Sequence, residues 1–95
     1  MQWVWSKIKD AKNRAKHNGI SLAVGAEVLQ NDPNALTEPD PHEDDDRWQT
    51  IGRFGAVYFV VHTDIEVMYD GEEQGRIISV RYATKAESRR YAERF

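Results

Sequence analysis

The chain has 95 residues, of which 40% are hydrophobic and 31% charged, with no cysteine and a formal net charge of −3. That length holds a single domain, residues 1–95, around one modest core. The composition excludes a disulfide framework and a thiolate metal site; no apolar stretch is long enough for a membrane-spanning helix, and the expected compartment is the cytoplasm, with no leader at Met1–Lys9.

Trp3-Val4-Trp5 reads as an edge strand or an apolar plug. Ser6 suits a helix N-cap, and Ile8, Ala11 and Ala15 recur at the spacing of one helical face. This helix is expected to end at His17-Asn18-Gly19, where Asn or Gly takes a left-handed cap. Ser21 opens a second helix, with Leu22, Ala26 and Leu29 on one face beside Val28, and Asp32-Pro33 closes it. Residues 35–37 fit a short strand. Glu38 to Asp46, with two prolines and six acids, reads as a solvated loop. Arg47–Phe54 alternates, with Trp48, Thr50 and Phe54 on one side, and Ala56–Thr63 is an apolar run expected of a central strand. Ile65–Tyr69 reads as its extension, Asp70-Gly71 as a hairpin turn and Gly75 as a further bend. A strand over 76–83 then leads into a helix over 85–94. Thr84 and Glu87 have the T-x-x-E spacing of a capping box. The order is helix, helix, antiparallel strands, helix, which predicts an α+β fold.

The charge is badly mixed. Residues 1–19 carry +4 and residues 76–95 another +4, while the middle, 20–75, carries −11. Two basic ends allow a local RNA-binding cleft if the fold brings them together; the plainer reading is two solvated helix faces.

Four segments in order resemble the BrnT family of small bacterial toxins. They are Asn13-Arg14-Ala15-Lys16-His17-Asn18-Gly19-Ile20-Ser21, Ala26-Glu27-Val28-Leu29-Gln30-Asn31-Asp32-Pro33, Asp44-Asp45-Asp46-Arg47-Trp48-Gln49-Thr50-Ile51-Gly52-Arg53, and Arg76-Ile77-Ile78-Ser79-Val80-Arg81-Tyr82-Ala83-Thr84 with the helix behind it. Asn18 stands as an extra residue between His17 and Gly19, and Leu29 stands where the family usually has Phe. The resemblance implies a RelE-like fold, a small antiparallel sheet flanked by two N-terminal helices and one C-terminal helix. It also implies a metal-independent endoribonuclease that inhibits translation. The partners it implies are a BrnA-like ribbon-helix-helix antitoxin, an RNA substrate, and operator DNA reached only through the antitoxin, with no membrane partner and no cofactor. The alternative is a non-catalytic binding module that keeps the fold and the antitoxin interface.

Metal-free RNA cleavage needs a base for the 2′-hydroxyl, an acid for the leaving 5′-oxygen, and cations for the phosphorane. His17 offers neutral-pH acid–base chemistry beside basic residues, or is simply a helix C-terminal cation. Arg81 and Arg53 offer bidentate phosphate binding; a structural ion pair with the acidic middle is the alternative for Arg81, and a solvated turn for Arg53. Tyr91 stacks on a base, moves a proton, or packs its helix through Phe95 at i+4. Lys16, Arg89 and Arg90 are candidate RNA-binding cations. Glu87 is explained by its cap. Asp40–Asp46, with His42, lacks the spacing of a calcium loop, His62 reads as a core histidine, and the three tryptophans read as core.

Overall fold

The computed structural model describes residues 1–41 and 46–94. Its elements are β1 (Gln2–Val4), α1 (Lys7–Lys16), α2 (Leu22–Asn31), β2 (Leu36–Pro39), β3 (Arg47–Phe54), β4 (Ala56–Thr63), β5 (Glu66–Val67), β6 (Glu73–Tyr82) and α3 (Lys85–Ala92). The strands form one sheet in the order β1-β6-β4-β3-β2, with β5 pairing β6 beyond the end of β4. All pairings are antiparallel except β1 on β6, so the sheet is mixed at that edge.

The core lies between α2 and the sheet. Leu22 and Val28 of α2 meet Val60 and the β6 residues Ile77 and Val80, all fully buried. Gly25 allows this close approach: a Cβ there would fall 2.8 Å from a methyl of Val80. A bulge in β6 opposite Val61 and His62 lets Ile77 and Val80 share the core face. Residues of β3 alternate, so Ile51 and Arg53 lie on the opposite face, where α3 packs and the Arg53 guanidinium sits beside the Tyr91 ring.

Five expectations change. Ile8, Ala11 and Ala15 do not form the inward face of α1; all are exposed, Ile8 by 72%. The inward stripe is polar: Asp10, Asn13 and His17. It docks by hydrogen bonds to backbone groups that would otherwise lack partners. Asp10 accepts from Ser21 Oγ (3.0 Å) and from the amide of Leu22 (2.7 Å) at the start of α2, and the Leu22 bond is the main reason its carboxyl titrates below the usual range. Asn13 is buried and treats β6 as a neighbouring strand would: its Nδ2 donates to the carbonyl of Val80 (2.9 Å) and its Oδ1 accepts the Val80 amide (3.1 Å). The same Nδ2 donates to the carbonyl of Ile20 (2.9 Å). Gly75 is no bend. It is buried within β6 because the Trp3 ring lies on it; a Cβ there would sit 2.3 Å from that ring. Ile65–Tyr69 does not extend β4, which ends at Thr63; only Glu66 and Val67 pair, as β5. Glu38 and Pro39 belong to β2 rather than to the loop, and α3 ends at Ala92, two residues earlier than its pattern suggested.

The caps stand where the sequence puts them. Ser6 accepts from the Lys9 amide and Ser21 from the Ala23 amide. Asn18 and Gly19 both adopt positive φ after α1, and the Gly19 amide reaches back to the carbonyl of Arg14.

Candidate active site

The capping box at Thr84 holds more than a helix end. Thr84 Oγ1 accepts from the Glu87 amide (3.1 Å), and Glu87 Oε1 accepts from the Thr84 amide (2.9 Å). The same carboxylate takes both terminal nitrogens of Arg81, Nη1 at 2.7 Å and Nη2 at 3.0 Å. Arg81 is therefore in an ion pair with Glu87, a residue of α3 and not of the acidic middle. Its guanidinium carbon lies 4.0 Å from the centre of the Phe59 ring, its cross-strand partner. These Arg81 bonds lead the causes that hold the Glu87 carboxyl below its ordinary range. The guanidinium is thus fixed in plane by an aromatic face and a carboxylate. Nη1 also donates to the carbonyl of Tyr82 (3.2 Å). Among the described residues Nε–H and one N–H of Nη2 remain unused, a second fork of the geometry that suits a phosphate.

Two residues back on the same face of β6 stands Ser79, about 7 Å away along the strand. Ser79 and Ile78 also line a depression of about 180 Å³ whose other wall is α1: Lys9, Lys12, Asn13, Lys16 and His17. Past its β1 pairing β6 has, among the described residues, no neighbouring strand on this side, and Asn13 pins α1 into that gap. The pin sets His17 and Lys16 beside Ser79. The left-handed pair Asn18-Gly19 turns the chain immediately after His17, and the imidazole lies half-buried in this wall. Among the described residues Lys9, Lys12 and Lys16 form no ion pair.

The other candidates lie elsewhere. Arg53 and Tyr91 meet at the far end of α3, with a guanidinium-to-ring distance of 5.8 Å. From strand spacing, the Cα of Arg53 is about 12 Å from that of Arg81. The Tyr91 hydroxyl donates to Asp32 Oδ2 (2.5 Å), which also accepts the Arg53 amide (2.8 Å), and Arg94 lies over the Tyr91 ring at 3.7 Å. Burial, then the bond to Asp32, raises the Tyr91 pKa. Burial acts to raise that of Asp32, but bonds from Tyr91, Arg53 and Asn34 and the charge of Arg94 outweigh it and the net shift is downward. Arg90 pairs with Glu38 across α3 and β2. Arg89 is exposed. The structure thus brings Lys16 and His17 together, with Arg81 linked to them through Ser79, and groups Arg53 with Tyr91 separately. Asn13 and Ser79 escaped the sequence reading; an Asn inside a helix, a poor helix former flanked by charges, was the available signal.

Among the described residues no group of three His, Asp or Glu side chains could hold a metal ion. His42, Glu43, Asp44, Asp45 and Phe95, which entered the sequence reading, lie outside the described residues. No helix among the described residues is long and apolar enough to cross a membrane.

The whole is a small α+β protein with helices on both sheet faces, an arginine held on the sheet by Glu87 and a lysine-bearing helix along the edge of β6. The family model described as ribonuclease toxin, BrnT, of type II toxin-antitoxin system matches residues 5–87, and the chain belongs to this family. Family membership implies an antitoxin partner. The crystal structure of the Brucella abortus ribonuclease toxin, BrnT, is similar over 90% of this chain and 99% of that one, with a TM-score of 0.65 and 25% sequence identity. None of the curated proteins matches the chain.

Proposed function

We propose that this toxin cleaves RNA without a metal ion, at the open edge of β6, and thereby inhibits translation. The observation that carries the reading is the position of Ser79. It shares the sheet face of Arg81 and it lines the depression that holds Lys16 and His17. A phosphodiester seated over Ser79 meets a preorganised arginine fork on one side and an imidazole with the α1 lysines on the other.

The chemistry follows from those positions. His17 takes the proton from the ribose 2′-hydroxyl as that oxygen bonds to phosphorus. Arg81, through Nε–H and Nη2–H, holds the non-bridging oxygens as charge builds on the phosphorane, a task suited to donors that need no reorganisation. Lys16 adds a point charge and donates the proton that the departing 5′-oxygen requires. The bond from phosphorus to that oxygen breaks, leaving a 2′,3′-cyclic phosphate and a 5′-hydroxyl. Tyr91, Arg89 and Arg90 on α3, with Arg53 of β3 beside Tyr91, serve the flanking strand, Arg53 on a neighbouring phosphate and Tyr91 as a positioning group. The partner is a BrnA-like ribbon-helix-helix antitoxin, and operator DNA is reached only through it; the setting is the bacterial cytoplasm.

The test is single-turnover cleavage of a defined RNA oligonucleotide and of its copy with one 2′-deoxy sugar at the cleaved position. The deoxy copy is expected to resist, and His17→Ala is expected to lose about a hundredfold or more in rate with an unchanged melting point. Cleavage of the deoxy copy at the same bond would refute the 2′-hydroxyl mechanism. A folded wild-type protein that binds its antitoxin and leaves all RNA intact would make the chain a binding module.

A further inference from the structure

Separate from the α1 depression, Trp3, Leu29, Trp48, His62 and Ile65 line an open hollow of about 600 Å³. A second hollow of about 320 Å³ continues it, sharing Trp3, Leu29 and Ile65 and adding Met1 and Gln30. The floor is rigid. Trp3 meets His62 edge-on at 5.2 Å, and His62 Nε2 is 2.7 Å from Thr50 Oγ1, which is 2.8 Å from Thr37 Oγ1. The walls are apolar and no part of the described chain covers them; Ile65 remains 49% exposed. None of the residues lining either hollow lines the α1 depression or touches Arg81.

The rim is acidic. Asp64 borders the hollow and accepts from the Trp48 indole N–H. Its amide donates to the carbonyl of Asp46 (3.2 Å), which brings Asp46 to this edge. Asp46 and Glu66 line the recess next to it, which shares Thr63 with the hollow and has Arg76 as its cation.

We infer that this trough is where the antitoxin anchors, through a segment that places one bulky apolar or aromatic side chain over His62 and a second against Trp3 and Ile65, with Lys or Arg residues between them facing Asp64 and Glu66. The identity of the occupant rests on the family's type II toxin–antitoxin character; its chemistry rests on the trough. RNA is a poor occupant, because its phosphates would face Asp46, Asp64 and Glu66. The exposed apolar tip of a second copy, Val67, Met68 and Tyr69, is also poor. It is flanked by Glu66, Asp70, Glu72 and Glu73, so acids would meet acids. Buried aromatic and aliphatic anchors ringed by polar groups are the usual energetic centres of protein interfaces. The trough therefore separates recognition by the antitoxin from the basic edge where RNA is cut.

The test uses the full chain and the protein encoded by the adjacent reading frame. Ile65→Lys puts a cation into the apolar trough at an exposed position that the fold does not need; Glu66→Lys reverses a rim charge. Ile65→Lys is expected to weaken binding by about thirtyfold or more and to leave the RNA cleavage rate unchanged. Its cells should stay poisoned when the partner is co-expressed. Glu66→Lys should weaken binding mainly through association rate, and less at high salt. Binding of the wild-type protein should shift the fluorescence of Trp3 and Trp48. If the wild type binds and Ile65→Lys binds equally well, the trough is not the anchor. Self-association of the wild type that Ile65→Lys abolishes would assign the trough to a second copy and overturn the proposal. If the wild type is neither bound nor neutralised, the toxin–antitoxin pairing with that neighbour fails and the proposal fails with it.

Discussion

Replacing Asn13 by Ala should damage this protein more than any other single polar substitution on α1. The side chain is 6% exposed and makes three hydrogen bonds, to the carbonyls of Ile20 and Val80 and from the amide of Val80. Alanine leaves all three backbone groups without their partner. A buried group stranded in this way costs about 1–3 kcal/mol. Three groups at the low end of that range give a total of about 3 kcal/mol. A domain of this size gives up roughly 4–8 °C of melting temperature per kcal/mol, which predicts a fall on the order of 15 °C. Asn13→Asp should do no better: it keeps the acceptor for Val80 but turns a carboxylate oxygen toward two carbonyls. Thermal melts give the stability, and amide exchange of Val80 reports the edge itself. Because α1 carries Lys16 and His17, RNA cleavage by Asn13→Ala should also fall at temperatures where the protein is fully folded. A melting point within 2–3 °C of wild type, with the Val80 amide still protected, would refute the edge-capping account.

Thr84→Ala should lower stability by on the order of 1 kcal/mol and leave cleavage intact, whereas Glu87→Ala should both destabilise and slow cleavage, because it also frees the Arg81 guanidinium; equal cleavage by folded Glu87→Ala would remove preorganisation of Arg81 from the mechanism. Arg81→Lys should keep partial activity, and Arg81→Ala should lose about a hundredfold, read in single-turnover assays with thermal melts as the folding control. Burial holds His62 neutral by lowering its pKa below 6.5; the unfolded chain binds the proton first, so stability should be level above about pH 6.5 and fall as pH drops toward the folded value. His62→Asn should flatten that part of the curve, and an unchanged pH dependence would place its origin elsewhere. Gly75→Ala should cost several kcal/mol because the new Cβ meets the Trp3 ring, and the double variant with Trp3→Ala should recover part of the loss; strict additivity would contradict the contact.

What the sequence discloses follows the range of the interaction. The cap at Thr84 was legible because both of its bonds join residues three apart, and β4 was legible because a long apolar run bounded by Gly55 and Asp64 has few other uses. The ends of α1 were legible for the same reason, yet its face was not. Three apolar residues at helical spacing suggested burial, but the inward stripe bonds to the edge of β6 and the start of α2, and nothing local reveals which backbone groups need a partner. Gly75 was read as a bend because the ring that requires a glycine there belongs to Trp3, at the other end of the chain. The candidate site residues show the same division. Lys16 and His17 are neighbours in sequence and share a wall of the depression. Arg81 was read as a phosphate ligand, with an ion pair to the acidic middle as the alternative; six residues and one turn instead bring Glu87 to it. Ser79, which links the two groups, has no distinguishing pattern of its own.

The most direct test of the proposed chemistry is single-turnover cleavage of a defined RNA in excess EDTA, with the new 3′ end identified by mass. Cleavage at the same rate as in Mg²⁺, leaving a 2′,3′-cyclic phosphate, is the predicted result. Cleavage that appears only on addition of Mg²⁺, or that leaves a 3′-hydroxyl, would contradict the account.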